Sequence, residues 1–418
     1  MLHDGVKRYA NSMSWMFFAK LASMVISFIA TAYIARTLGP SNYGELSYAI
    51  SFVGIFSFFA SLGLDQVLHR DLIKYPEKKN EYLGSAISLR VLASFFAIIF
   101  CLFWAIILSP KDISFLLIFI ISFTHILGSF QLLSYEFQAN AESKYPSILL
   151  IATVFTLSIL KILVAVFDKG VIYLSLIILL EPILYSLGYM YLKKKFYKDL
   201  SKIRFNATIA RSLFKDSFPL IFASAFYIIY TRIDQVMIKN IIDAEAVGLY
   251  DSSVRISELI YFIPQIILTA LLPAIINAKK VSLELYYRRI KKLIYLVLAV
   301  NILTASLVMI FAPNLIAIIF GAGFLAAVPV LYIYAWSNIG AAFNFFAQQI
   351  LIIENKTKNI LVTTFLGMAC NVLLNLMLIP RYGISGAATA TLISYLVPFL
   401  SLFLFKHTRI LLINIIKS

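Results

Sequence analysis

Residues 227–264 read YIIYTRIDQVMIKNIIDAEAVGLYDSSVRISELIYFIP, two apolar segments joined by a short polar turn, each carrying a cation close to a carboxylate. Arg232 precedes Asp234 by two residues, and Arg255 precedes Glu258 by three, which at 100° per residue sets Arg255 and Glu258 on one side of a helix. Ionised groups inside apolar segments are costly in a bilayer. They therefore face a bundle interior or a water-filled cavity, where they mark a pathway.

The rest of the chain has the composition this reading requires. Of 418 residues, 61% are hydrophobic and 13% charged, and mean hydropathy is +0.90, far from the roughly 25% charged residues of a soluble domain. Apolar runs of about 20 residues recur, each long enough to cross a hydrocarbon core as a helix, and they lack the alternation of a membrane barrel. Twelve spans are expected, at 14–35, 44–64, 83–108, 113–137, 147–167, 171–192, 218–238, 247–276, 293–312, 327–353, 360–379 and 385–405. The first exceeds a signal-peptide core and reads as a retained span. Cys101 and Cys370 fall inside spans without ligand spacing, so neither a disulfide nor a metal site is expected.

The net charge of +16 could suggest nucleic acid, but the basic residues sit between spans and not on a soluble domain. Lys and Arg crowd the connections 69–81, 141–144, 193–216, 279–292 and 354–358 and both termini. The alternate connections, such as 109–112, 167–170 and 321–324, are short and nearly neutral. The positive-inside rule then places both termini in the cytoplasm. The basic runs read first as topological determinants that contact anionic lipid headgroups. The chain also looks doubled: Gly44 matches Gly248, Lys144 matches Lys358 and Gly170 matches Gly383 at offsets near half its length. This predicts two six-helix lobes, 1–192 and 217–418, joined by a basic cytoplasmic linker, 193–216.

Several spans carry polar residues at helical spacing, expected to lie along one face each. Span two has Ser47, Ser51, Gly54, Ser61 and Asp65; span four has His125, Ser129, Glu136 and Asn140; span ten has Ser337, Asn344, Gln348 and Asn355. Asn344, Gln348, Asn371 and Asn375 are candidates for a polar cavity lining, with interhelical hydrogen bonding as the plainer reading. His125 reads as a hydrogen-bonded packing residue. Lys161, deep in span five with no local carboxylate, and Arg90 and Lys20, nearer span ends, are candidate cavity cations for a phosphate headgroup. Asp234 and Glu258 are either counter-ions for Arg232 and Arg255 or coupling carboxylates. Glu181, followed by Pro182 within span six, is a further carboxylate candidate, and Pro264 and Pro398 could bend their helices. There is no catalytic constellation, no cofactor motif and no Walker A loop, so the chain is not expected to be an enzyme, and transport would draw on a gradient.

Residues 231–275, with 35–49 (ARTLGPSNYGELSYA) and 380–397 (PRYGISGAATATLISYLV), resemble polysaccharide-biosynthesis flippases of the Wzx type, in the multidrug/oligosaccharidyl-lipid/polysaccharide (MOP) exporter superfamily. The resemblance covers essentially the whole chain. It implies two six-helix lobes around a central cavity, as in MATE transporters, alternating access, and export of an undecaprenyl-pyrophosphate-linked oligosaccharide, the O-antigen unit of lipopolysaccharide biosynthesis, across a bacterial inner membrane. Arg232, Asp234 and Arg255 carry over by motif position. Coupling to H+ or Na+, and an O-antigen polymerase and chain-length regulator as partners, are further implications. The alternatives are a multidrug exporter of the same fold, which would use cavity carboxylates, and a membrane O-antigen polymerase, which would need a long outer loop absent here.

Overall fold

A computed structural model describes residues 2–108, 112–354 and 356–417; Asn355 and most of the 109–112 connection lie outside them. Within a bilayer every backbone N–H and C=O must be satisfied inside the chain, which for apolar runs of this length means helix. Fifteen α-helices are described: α1 (Leu2–Ile55), α2 (Ser57–Ser61), α3 (Leu64–Lys74), α4 (Lys79–Leu108), α5 (Ile113–Ser122), α6 (Thr124–Leu127), α7 (Ser134–Ala139), α8 (Lys144–Val166), α9 (Val171–Phe196), α10 (Ala207–Ile241), α11 (Ala244–Val281), α12 (Leu283–Ile319), α13 (Val328–Ile353), α14 (Thr357–Leu400) and α15 (Lys406–Lys417).

Among the described residues, ten stretches are long and apolar enough to cross a membrane. The first, Ala10–Ile55, and the last, Lys358–Leu404, run 46 and 47 residues, about 70 Å at 1.5 Å per residue and twice a hydrocarbon core of ~30 Å. Each is interrupted by a glycine in the left-handed region, Gly39 (φ 73°) in α1 and Gly383 (φ 58°) in α14. A residue with a Cβ is strained there. Two crossings in each of these stretches and one in each of the others accommodate the twelve expected spans.

Two expected spans are not straight. The segment 44–64 breaks at Phe56 and turns at Leu62 and Gly63, both with positive φ, so Asp65 starts a new helix away from Ser47 and Ser51. The segment 113–137 dissolves into α5, α6, a 3-10 turn at Gly128–Leu133 and α7. The single polar faces expected for Ser47 to Asp65 and for His125 to Asn140 therefore do not form. Side chains compensate at the second break: Ser94 donates to the His125 carbonyl at 3.0 Å and Ser186 to the Leu127 carbonyl at 2.6 Å, caring for carbonyls that lack helical partners. By contrast, α9 runs through Pro182 and α11 through Pro264 and Pro273 without a break.

The chain forms two compact units, one up to Leu38 and from Glu45 to Ile228, the other Gly39–Gly44 and from Ile229 onward. In the first, α3, α4 and α9 enclose an apolar core around Leu68, Leu83, Leu132, Leu133 and Leu213. The stretch 200–206 is fastened to α4: Arg204 N–H donates to the Asn80 carbonyl at 3.3 Å, and Ser85 Oγ donates to the Asn206 carbonyl and accepts from its N–H, both at 3.0 Å. Asn206 then caps α10, accepting from the Thr208 and Ile209 amides at 3.0 and 3.3 Å, as Asn does at an N-cap. The second unit centres on α11, α12 and α13, with Tyr286, Ile290, Ala347 and Leu351 fully inside. The amphipathic α15 buries Leu411, Leu412 and Ile415 against the same core. Large apolar side chains such as Phe96 and Phe103 on α4 and Leu303 and Ile310 on α12 stay exposed, the surface expected of helices bathed in lipid.

Candidate functional site

The opening stretch supplies most of a polar centre buried in the second unit. Helices α10 and α11, joined by a turn in which Asp243 caps α11 by accepting from the Ala246 amide at 2.8 Å, each present a carboxylate and a donor side by side. Tyr250 of α11 donates to Asp234 of α10 at 2.6 Å, and Gln235 of α10 donates to Asp251 of α11 at 2.7 Å. Helix α14 completes the shell of Asp234, with Thr391 donating at 2.6 Å and Asn375 at 2.7 Å. Asn375 also donates to Asn371 at 3.1 Å, Asn371 to Ser394 at 3.3 Å, and Tyr334 of α13 meets Tyr250 at 2.9 Å.

The two carboxylates are satisfied differently. Asp234, 5% exposed, accepts from three neutral donors, and Asn375 Oδ1 beside it is a buried acceptor with no hydrogen-bond donor among the described residues. Asp251, 1% exposed, is the charge-paired one: Arg255, one turn on, approaches its Oδ2 at 3.2 Å, and Tyr43 donates to the same oxygen. Removing a buried carboxylate from water costs several kcal/mol, and only such a full shell makes it tolerable.

This geometry corrects the pairing expected from the sequence. Residues two apart lie some 200° around a helix, and Asp234 faces Tyr250, Thr391 and Asn375 while Arg232 forms neither ion pair nor hydrogen bond among the described residues. Arg232 stays half-buried in an apolar helix, near enough for its charge to act on Asp251 without a bond to it. Arg255 takes Asp251 behind it instead of Glu258 ahead of it, and Glu258 is exposed and forms no ion pair among the described residues. The signal for Asp251 was available in DSSVR, a carboxylate and a guanidinium spaced i, i+4. Asn371 and Asn375, expected on a cavity wall, are fully buried in the Asp234 shell. Asn344 and Gln348 are half-buried on α13 and bond to each other at 3.2 Å.

In the first unit, Arg90 is not a lone cation, since it pairs with Asp65 at 2.9 Å. Lys161, half-buried on α8, is engaged by another group of the chain, so its lack of a nearby carboxylate in sequence does not leave it without a partner. Lys20 is exposed on α1, and Glu181 is half-buried before Pro182. His125 meets the Val53 carbonyl at 3.2 Å, a packing contact. Sequence reasoning missed a charge cluster where α4, α7 and α9 converge. Lys193, fully buried, contacts Glu136 at 2.6 Å, Asp199 at 2.9 Å and Asn80 at 3.1 Å, and Lys79 bridges the same two carboxylates at 2.8 and 3.2 Å. Burial alone would raise the Asp199 carboxyl, but the bonds from Lys193 and Asn80 outweigh it and hold it below its ordinary range.

The profile of the family described as "Polysaccharide biosynthesis protein" matches residues 10–279, well over half of the chain. The chain belongs to the polysaccharide biosynthesis protein family. The MatE family profile also matches residues 219–377. Among relatives, "Capsular polysaccharide biosynthesis protein CapF" of Staphylococcus aureus is 22% identical, over 94% of this chain and 98% of that protein. "Probable low-salt glycan biosynthesis flippase Agl15" of Haloferax volcanii is 23% identical, over 93% and 81%. The fold is that of a MOP-superfamily multidrug resistance MATE transporter solved in an inward-facing conformation, with a TM-score of 0.72 at 14% identity over 94% of this chain and 96% of that one. The stretches that carry the sequence resemblance are those that meet here: Tyr43 from the first, Asp234, Gln235, Tyr250, Asp251 and Arg255 from the second, and Thr391 and Ser394 from the third.

Proposed function

We propose that this membrane protein is a flippase that moves an undecaprenyl-pyrophosphate-linked oligosaccharide, an O-antigen repeat unit, from the cytoplasmic to the outer leaflet of a bacterial inner membrane by alternating access of residues 1–192 and 217–418. The observation that carries the reading is Arg232, a guanidinium kept half-buried in an apolar helix with no ion pair among the described residues. A cation in that setting is costly unless an anion repays it, and a guanidinium fits a diphosphate with two parallel hydrogen bonds. Arg255, tethered to Asp251 by one long bond, is the second diphosphate ligand; Lys161, Arg90 and Lys20 provide further positive charge, with Arg90 already neutralised by Asp65. Asp234, ringed by neutral donors, is the coupling carboxylate that takes H+ or Na+, with Glu258 and Glu181 as the other candidates. The membership in a polysaccharide biosynthesis family and the flippase among the relatives support the substrate class.

A second reading, export of cationic drugs, draws on the MatE match and on Glu258, an exposed carboxylate in α11. The deciding experiment deletes the gene and locates lipid-linked glycan on each leaflet. Accumulation on the cytoplasmic leaflet supports the flippase; single units already translocated indicate a polymerase, and no change in glycan with heightened drug sensitivity indicates the exporter.

A further inference from the structure

Helices α11 and α13 lie side by side within the second unit and run in the same direction. Ser257 donates to Asn338 at 3.0 Å, Tyr261 to the Ala341 carbonyl at 3.0 Å and Lys279 to Glu354 at 2.7 Å, so partners advance together along both helices. Beside this seam α11 carries a second stripe, Glu258, Phe262, Gln265 and Thr269, spaced i, i+4, i+7, i+11 and therefore on one face. Glu258 and Thr269 are exposed, and Phe262 and Gln265 half-buried. At 100° per residue the stripe lies about 90° to one side of the line through Ser257 and Tyr261. On α13, Asn344 and Gln348 lie about 70° to the opposite side of the line through Asn338 and Ala341. For parallel helices opposite offsets face the same way. The two stripes therefore form one polar strip, and the register of the seam sets Gln265 and Thr269 level with Asn344 and Gln348.

A carboxylate and amides exposed within apolar spans face water and not hydrocarbon, and these bind little of the fold. Glu258 forms no ion pair among the described residues. Gln348 donates to Asn344 Oδ1 at 3.2 Å, which leaves the Asn344 amide N–H groups and the Gln348 carbonyl to a ligand. The composition suits a sugar: a ring for its apolar face, a carboxylate that accepts from hydroxyls, and amides that both donate and accept. From Glu258 to Thr269 the strip runs about 16 Å at 1.5 Å per residue, room for roughly three linked sugars. It begins one turn from Arg255, to which the diphosphate is assigned. We infer that Glu258, Phe262, Gln265 and Thr269 of α11, with Asn344 and Gln348 of α13, form the subsite for the oligosaccharide, and that they distinguish one glycan from another. The inference rests on the export reading and gives Glu258 the role of a sugar ligand in place of an ion carrier. A carboxylate repels a diphosphate, so Glu258 contributes to binding only through the sugar.

The test titrates the purified protein in detergent calorimetrically with two probes. One is the lipid-linked glycan extracted from cells lacking the gene; the other is farnesyl diphosphate, which carries the diphosphate and no sugar. Glu258→Leu and Gln265→Leu, each placing a residue favoured in a span, should weaken binding of the glycan-bearing lipid ~10-fold or more and leave farnesyl diphosphate within about 2-fold. Thr269→Val, which keeps the shape of the side chain, should give the same split if the leucine variants fail to fold. Arg255→Gln should weaken both probes. Equal losses on both probes in the polar variants, or unchanged glycan binding, would overturn the inference. So would ethidium binding that is lost in Glu258→Leu with glycan binding intact, the outcome expected of a drug exporter. Binding of neither lipid by the wild-type protein would overturn the export reading as well, whereas binding of both with the polar variants unaffected removes this subsite alone.

Discussion

Replacing Lys193 by Met removes the ammonium at the centre of the charge cluster in the first unit while keeping most of the side-chain volume. Lys193 has no exposed surface and touches Glu136, Asp199 and Asn80, and Glu136 and Asp199 keep only 2% and 9% of their side-chain surface. Truncating one partner of a buried pair typically costs about 3–5 kcal/mol. Lys79, itself 29% exposed, still reaches both carboxylates, so the expected loss is about 2–4 kcal/mol. Heat-induced unfolding of the purified protein in detergent, followed by tyrosine and tryptophan fluorescence, should shift to lower temperature. Adding Glu136→Gln, which deletes the charge left unmatched, should restore most of the loss. Unfolding of Lys193→Met at the wild-type temperature, or a double variant weaker than the single one, would refute the claim that the cluster holds α4, α7, α9 and the 197–206 stretch together.

Acid should act on two bridges outside the membrane. Asp199 and Glu354 both have carboxyls that burial would raise but that their partners hold below the ordinary range, Lys193 and Asn80 for Asp199, Lys279, His407 and Tyr286 for Glu354. The stability they give is fully present above the unfolded values of about 4 and is lost as pH falls through the lower folded values, so melting temperature should hold from pH 7 to 5, and Asp199→Asn should blunt the fall below pH 4. Gly383→Ala, at φ 58°, should cost about 1–2 kcal/mol in the same melting assay, more than Gly54→Ala, where a methyl meets open space. Lys161→Ala should impair glycan export at unchanged membrane abundance, with Lys161→Arg but not Lys161→Gln restoring it.

The spans, their basic connections and the motif stretches could be read from the chain because they rest on local composition and spacing. The identity of charge partners could not. Lys193 sits in KKKF beside exposed Lys194 and Lys195, and composition gives all three the same meaning; only the tertiary approach of Glu136 and Asp199 makes the first a core residue. A clue was present in Tyr185, Tyr189 and Lys193, spaced i, i+4, i+8 and all buried. Arg232 and Asp234 lie two residues apart in sequence but point to different neighbours, since helical geometry separates i and i+2. The breaks at Leu62–Gly63 and Gly128–Leu133 escaped a periodicity reading because apolar residues continue through them, while Tyr43 reaches Asp251 across 208 residues, beyond the range of any spacing rule.

The central claim is that Arg232 of α10, which forms no ion pair or hydrogen bond among the described residues, meets the diphosphate of a lipid-linked glycan. Its most direct test compares Arg232→Gln with Arg232→Lys in cells making the glycan, with membrane abundance matched and the lipid-linked intermediate measured on each leaflet. The glutamine variant should strand the intermediate on the cytoplasmic leaflet while the lysine variant keeps a substantial part of the export. Full export by Arg232→Gln would contradict the account.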